Sequence, residues 1–250
     1  PSSPYISPEA FQLKGRNDET VVTEVYLWGP RGYYKDPFYT DHNASFVSEI
    51  GYHCCPNRES LEKMMDKDFV YPWNENGEWN DQWQTKAVRS HPNATETVRR
   101  NDLMTNQVRC VFGDVPEDLD EFILASQIVQ AEAMKYFVEF WRMSKFDRTG
   151  ILWWNLRDGW PVISDAIVDY YDGKKLAYTY IRRAQTNVCV MIGDDTESQH
   201  PIVVVNDTRK ASRGTLTIED ADTDETVVDT TFSVGKNSKA FVGTLPQPPK

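Results

Sequence analysis

Residues 150–156, Gly-Ile-Leu-Trp-Trp-Asn-Leu, run almost without a polar break. A short apolar run without polar alternation reads as a strand buried on both faces, and such strands belong to sheets covered by helices on either side. The neighbouring segments fit that requirement. Residues 46–50 form a second short β-prone run. Pro56-Asn57 then opens a helix, with Asn57 as cap, Glu59 in the first turn and Leu61, Met64 and Met65 at helical spacing. Asp114-Val115-Pro116-Glu117 starts the longest helix, whose apolar spacing runs through Leu119, Phe122, Ile123, Val129, Ala133, Phe137 and Phe140 to about Ser144. Lys174 to Ala184 supplies another, with Leu176, Tyr180 and Ala184 aligned. Strand, helix, long helix, strand, helix is the rhythm of an α/β fold with a parallel sheet or barrel.

Two regions depart from that rhythm. Residues 70–113 carry no clear period, and a structureless loop that long is uncommon, so they are an insertion with short helices or a lid. From about Gln185 the chain breaks into five short strands: Cys189–Ile192, Pro201–Val205, Thr215–Ile218, Thr226–Val234 and Lys239–Val242. Turn signals between them indicate an antiparallel β-sandwich. The expected organisation is therefore a domain over 1–184, with an insertion at about 70–113, and an incomplete sandwich over 185–250. Residues 21–28 add a β-rich segment that ends at the breaker pair Gly29-Pro30. The opening Pro1-Ser2-Ser3-Pro4 reads as a chain entered partway through a longer protein.

Charge narrows the partners. With 38 acidic against 27 basic residues, the net charge of -11 argues against nucleic acid and against anionic membrane surfaces. No apolar stretch approaches the ~20 residues of a membrane span. Cys54, Cys55, Cys110 and Cys189 match no zinc spacing and read as free structural thiols. His42, His53, His91 and His200 form no spaced pair, so neither a metal nor another cofactor is expected. The sequons at Asn43, Asn93 and Asn206 are little above chance.

Aromatics stand out. Trp73, Trp79 and Trp83 share one polar stretch, and Trp153, Trp154 and Trp160 another. Tryptophans among polar residues suit the apolar face of a sugar, with the indole N–H free to donate. The plainer reading of the first three is insertion core. Of Trp153 and Trp154, at most one faces a pocket, because adjacent strand residues point to opposite faces.

The sharpest chemical signal is Phe46-Val47-Ser48-Glu49-Ile50-Gly51-Tyr52, where a carboxylate ends a short strand. An ionised group is costly to take out of water unless paired, so Glu49 is either hydrogen-bonded structure or a working carboxylate. This segment, with Pro56 after it, resembles the nucleophile segment of glycoside hydrolase family 2, in its β-mannosidase and exo-glucosaminidase branch. Ser2-Ser3-Pro4, Val25-Tyr26-Leu27-Trp28-Gly29, Ser126-Gln127 with Gln130-Ala131 and Arg142, Gly150 to Asp158 with Trp160-Pro161 and Ser164, Asp169-Tyr170 with Lys175 to Ala184, and Val203 to Asp207 resemble further segments of that branch, in order.

The resemblance implies the last strands and helices of a (β/α)8 TIM-type barrel followed by an immunoglobulin-like domain. It also implies a retaining mechanism on a carbohydrate substrate, with two carboxylates roughly 5–5.5 Å apart. Glu49 would be the nucleophile, Trp28 and Trp154 would line the sugar pocket, and Asp158 would orient the sugar or its neighbours. Tyr26, Arg157 and Asp165 depart from the family pattern, where histidine, asparagine and tryptophan are usual. The acid/base glutamate of this family follows an asparagine upstream of the nucleophile. Asn74-Glu75 comes after it, in a polar loop, and reads as a solvated pair. The acid/base and most barrel strands are therefore expected outside this chain, as a partner segment, and the isolated chain is expected to be inactive. A non-catalytic carbohydrate-binding or scaffolding module is the alternative.

Overall fold

The computed structural model describes residues 24–29, 31–87, 100–194 and 199–246. Ser2-Ser3-Pro4, residues 21–23 of the expected first strand, Pro30, His91, Asn93 and Gln247 to Pro249 lie outside that set. The described chain is mixed α/β and divides into two compact units, residues 1–137 with 151–181, and residues 138–150 with 182–250.

The first unit holds a three-stranded sheet in the order β1 (Glu24–Tyr26), β2 (Phe46–Ile50), β3 (Gly150–Trp153). β1 and β2 run parallel. Around them lie α1 (Arg58–Met64), α2 (Asp81–Lys86), α3 (Arg100–Phe112), the long α4 (Leu119–Met143) and α5 (Leu176–Ala184). β3 stops three residues short of the apolar run that announces it. α5 begins two residues late, because Lys174 bridges back to Val168.

Local chemistry moves one helix start and leaves another without its expected capping bond. Gly113, at φ +85, donates its N–H to Arg109 O and ends α3 in a conformation that glycine adopts without strain. Residues 113–118 are thereby spent on a turn. Asp118, rather than Asp114, then caps α4, accepting from the N–H groups of Asp120 and Glu121. Asn57 precedes α1 but makes no capping bond. Its side chain instead donates to Lys174 O and accepts from Gln127 Nε2. The 70–113 region carries α2, capped by Asn80, and α3; residues 88–99 lie outside the described set.

α4 does more than bury an apolar stripe. Phe122, Val129, Ala133, Met134 and Phe137 are buried. So are Ser126, Gln127 and Gln130, which lie alongside them. Ser126 Oγ accepts from Cys55 N, Gln127 Nε2 donates to Cys55 O, and Gln130 Nε2 donates to Tyr52 O and Asp165 O. Buried backbone groups need partners, and here a helix supplies them to the segment that follows β2. Trp79 and Trp83 pack against Phe122 at ring distances of 6.2 and 6.4 Å, so this pair is core. The four cysteines are free, with Cys54 and Cys55 buried.

The second unit is built on antiparallel strands: β4 (Val188–Ile192), β5 (Gln199–Asn206) and β8 (Ser238–Pro246) in one sheet, and β6 (Ser212–Glu219) with β7 (Thr226–Val234) in another. β6 alternates half-buried and exposed positions along its length, as one covered face requires. Asp220 accepts from the N–H groups of Asp222 and Thr223, which closes the β6–β7 turn. Within the same unit, Arg142 and Lys145 both pair with Asp207.

Candidate active site

Glu49 sits at an irregularity in the sheet. Val25 pairs with Val47 but Tyr26 pairs with Glu49, so Ser48 is an extra residue on β2. Period-two alternation fails there: Val47 and Ile50 are buried while Ser48 and Glu49 are both half-buried. A bulge of this kind re-aims a side chain, and here it turns the carboxylate out of the core. Trp28 Nε1 donates to Glu49 Oε2 at 2.6 Å, a short charge-assisted bond.

Gly51 lets the neighbouring elements close in. A Cβ at that position would lie 2.6 Å from Trp154 O and 2.7 Å from the Trp28 ring. Trp154 N donates to Ile50 O at 2.7 Å, and the Trp154–Asn155 peptide is cis. The Trp154 side chain is 49% exposed. Glu49, Trp28 and Trp154, named from sequence, are therefore gathered around one glycine.

Asp158 belongs to a different set of neighbours. It is buried and accepts from Ser164 Oγ. Burial raises its pKa, opposed by the charge of Lys175 and by the Ser164 bond. Lys175 Nζ, itself buried, donates to Ser164 O and Cys54 O. Oδ2 of Asp158 is buried and has no partner among the described residues.

Residues to which sequence reasoning gave no role stand behind Trp28: Arg31 and Arg100, with Asp165, noted only as a departure from the family pattern. The Arg31 guanidinium lies 4.3 Å from the Trp28 ring centroid, and that of Arg100 lies 6.0 Å away. Asp165 joins the two, at 2.7 Å from Arg31 Nη1 and 3.1 Å from Arg100 Nη1. Burial alone would raise the Asp165 carboxyl. The charges of Arg31 and Arg100 and the Arg31 hydrogen bond outweigh that and hold it below the ordinary carboxylate value. Arg31 lies three residues past Trp28, which is the one local hint; Asp165 lies 134 residues from Arg31.

His53 is buried next to this cluster, and neither ring nitrogen has a partner among the described residues. Burial lowers its pKa from 6.5 to about 3, with Asp165 opposing and Arg100, Lys175 and Arg31 reinforcing the shift. The folded state therefore holds His53 neutral where the unfolded chain would protonate it. Its contribution to stability is complete above pH 6.5 and is lost as pH falls towards 3, at about 1.4 kcal/mol per pH unit. Denaturant titrations across that range should show a slope that His53→Leu flattens by about this amount; an unchanged slope would refute the assignment.

Among the described residues no helix is long and apolar enough to cross a membrane, and no group of three or more His, Cys, Asp or Glu is placed to hold a metal ion.

No family model matches the chain. Over 150 residues, 58% of this chain, it is 33% identical to β-mannosidase B of Aspergillus niger. It aligns with 16% of the length of that protein. Among solved structures, β-D-mannosidase from Dictyoglomus thermophilum superposes with a TM-score of 0.73 at 23% identity, over 93% of this chain and 27% of that one. An exo-chitosanase from Amycolatopsis orientalis superposes with a TM-score of 0.65 at 20% identity, over 90% of this chain and 27% of that one.

Proposed function

We propose, from the premise that this chain resembles the β-mannosidase and exo-glucosaminidase branch of glycoside hydrolase family 2, that it is the nucleophile-bearing part of a retaining exo-β-glycosidase acting on terminal β-linked, mannoside-like sugars. Its relatives are glycoside hydrolases, and it spans about a sixth of the curated relative from A. niger. Under this reading, the sheet β1-β2-β3 is the last part of a (β/α)8 barrel and the antiparallel strands belong to an immunoglobulin-like domain. Leu152 and Leu156, 57% and 59% exposed on and just past β3, then face chain that completes the barrel.

The observation that carries the reading is the 2.6 Å bond from Trp28 to Glu49 at the end of a barrel-type strand. Catalytic groups of such barrels stand at the C-terminal ends of strands, and Glu49 is the last but one residue of β2. The indole N–H occupies Oε2 and leaves the other oxygen to attack the anomeric carbon. That attack forms a covalent glycosyl ester and releases the aglycone, which a second carboxylate must protonate. Water then cleaves the ester, with net retention of configuration. Trp28 and Trp154 would flank the sugar, and Asp158, buried and bonded to Ser164, would act by orienting the groups around it.

The second carboxylate is assigned to a segment outside this chain. Asn74-Glu75 is in an exposed turn closed by the Gly77 N–H on Asn74 O, which supports a solvated pair there. The test is covalent trapping in a protein that completes the barrel around this chain. An activated 2-deoxy-2-fluoro-β-mannoside should label the peptide containing Glu49. Stoichiometric label on any other carboxylate would overturn the assignment.

A further inference from the structure

A groove of about 650 Å³ lies on the first unit, lined by Tyr71, Trp73, Trp79, Asp102, Arg109 and Glu117 and shaped by the turn at 74–78. It shares no residue with the Glu49 cluster. Its volume falls within the roughly 300–1,000 Å³ of ordinary ligand sites. The floor is aromatic and rigid. The half-buried Trp73 ring is held 5.0 Å from Phe122, 5.6 Å from Trp79 and 5.7 Å from Tyr71, and Tyr71 is itself 48% exposed. Trp79 Nε1 donates to Asp102 Oδ1 at 2.8 Å, which fixes that carboxylate and leaves its other oxygen to the groove. A rigid aromatic face beside fixed hydrogen-bond acceptors suits a pyranose ring, which is apolar across its C–H face and polar around its edge.

Charge then selects among sugars. Among the described residues, Glu75, Glu78, Asp102 and Glu117 line the groove against the guanidinium of Arg109, in a chain of net charge -11. A neutral glycan gains nothing from that field. A protonated amine gains from the carboxylates and from the half-buried Trp73 indole and exposed Tyr71 phenol together.

We infer that this groove is a second carbohydrate site, separate from Glu49, which takes a cationic amino sugar unit of an oligosaccharide. It does not depend on the catalytic reading, since it needs no chemistry at Glu49.

The test is calorimetric titration of the 250-residue chain, at mildly acidic pH and low salt, with a fully deacetylated β-1,4-glucosamine hexamer. The fully N-acetylated hexamer, a mannohexaose and a polylysine of matched charge are the comparators. Saturable binding is expected for the glucosamine hexamer alone among the sugars, weakened by high salt. Trp73→Ala should weaken it by roughly tenfold. Because Trp73 also touches Phe122, the exposed double variant Glu75→Gln/Glu78→Gln is the companion. It should keep the fold, weaken binding and reduce the salt dependence. Glu49→Gln should leave binding unchanged, so failure here is separable from failure of the nucleophile assignment. Equal binding of the acetylated or manno-oligomers, or polylysine binding as tight as the hexamer and indifferent to Trp73→Ala, would overturn the proposal.

Discussion

Glu49→Ala, in a protein that completes the barrel, should lower turnover of an aryl β-mannoside by on the order of 10⁴-fold or more, the scale expected when a covalent nucleophile is removed. The Trp28 indole N–H would then point into the space the carboxylate leaves. A small anion such as azide fits that space and attacks from the same face. Azide should therefore restore part of the rate and yield an α-configured glycosyl azide. Removing a general acid instead would allow azide to act on the glycosyl-enzyme and give the β product, so product configuration reports which role Glu49 holds. The 250-residue chain alone should show no turnover above background, with or without Glu49→Gln. Residual activity above roughly a tenth of the parent in Glu49→Ala would exclude covalent catalysis by this residue.

Asp165→Ala should cost about 3–5 kcal/mol of stability, because it leaves two guanidiniums without their shared counter-charge. Arg31 and Asp165 are both nearly fully buried, with side-chain exposures of 6% and 7%. A solvent-exposed pair would contribute far less. The same reasoning makes the loss partly reversible: adding Arg31→Met removes the more deeply buried of the two uncompensated charges and should recover part of it. Denaturant midpoints of the two variants decide the matter. A loss below about 1 kcal/mol for Asp165→Ala would show that water or a neighbouring carboxylate replaces the pair. The change should also blunt the fluorescence of Trp28 as a reporter of a fixed environment, since Arg31 lies over that ring.

What was legible from sequence had a local cause. A short β-prone run over 46–50 marks β2, and apolar periodicity after Leu119 marks α4, because side-chain direction on a helix repeats every 3.6 residues. Turn residues between the C-terminal strands mark their spacing because they bond to backbone groups two or three residues on, as Asp220 does. Helix starts were less legible. Asp114 and Asp118 are equally good caps in isolation, and Gly113 decides between them only by how α3 ends. Asn57 has the right residue type for a cap, yet Gln127, seventy residues on, takes its side chain instead.

Sequence by itself marked a carboxylate at a strand end and the order of elements around it, since both are written in neighbouring residues. It also gave the resemblance that names Glu49, Trp28 and Trp154 together. Only the tertiary structure decided how that carboxylate is held. The extra residue at Ser48, the bond from Trp28, and the Arg31–Asp165–Arg100 cluster behind it each depend on strands and loops that meet across long separations. Pairing register and burial are properties of the packed chain, so they have no local signature to read.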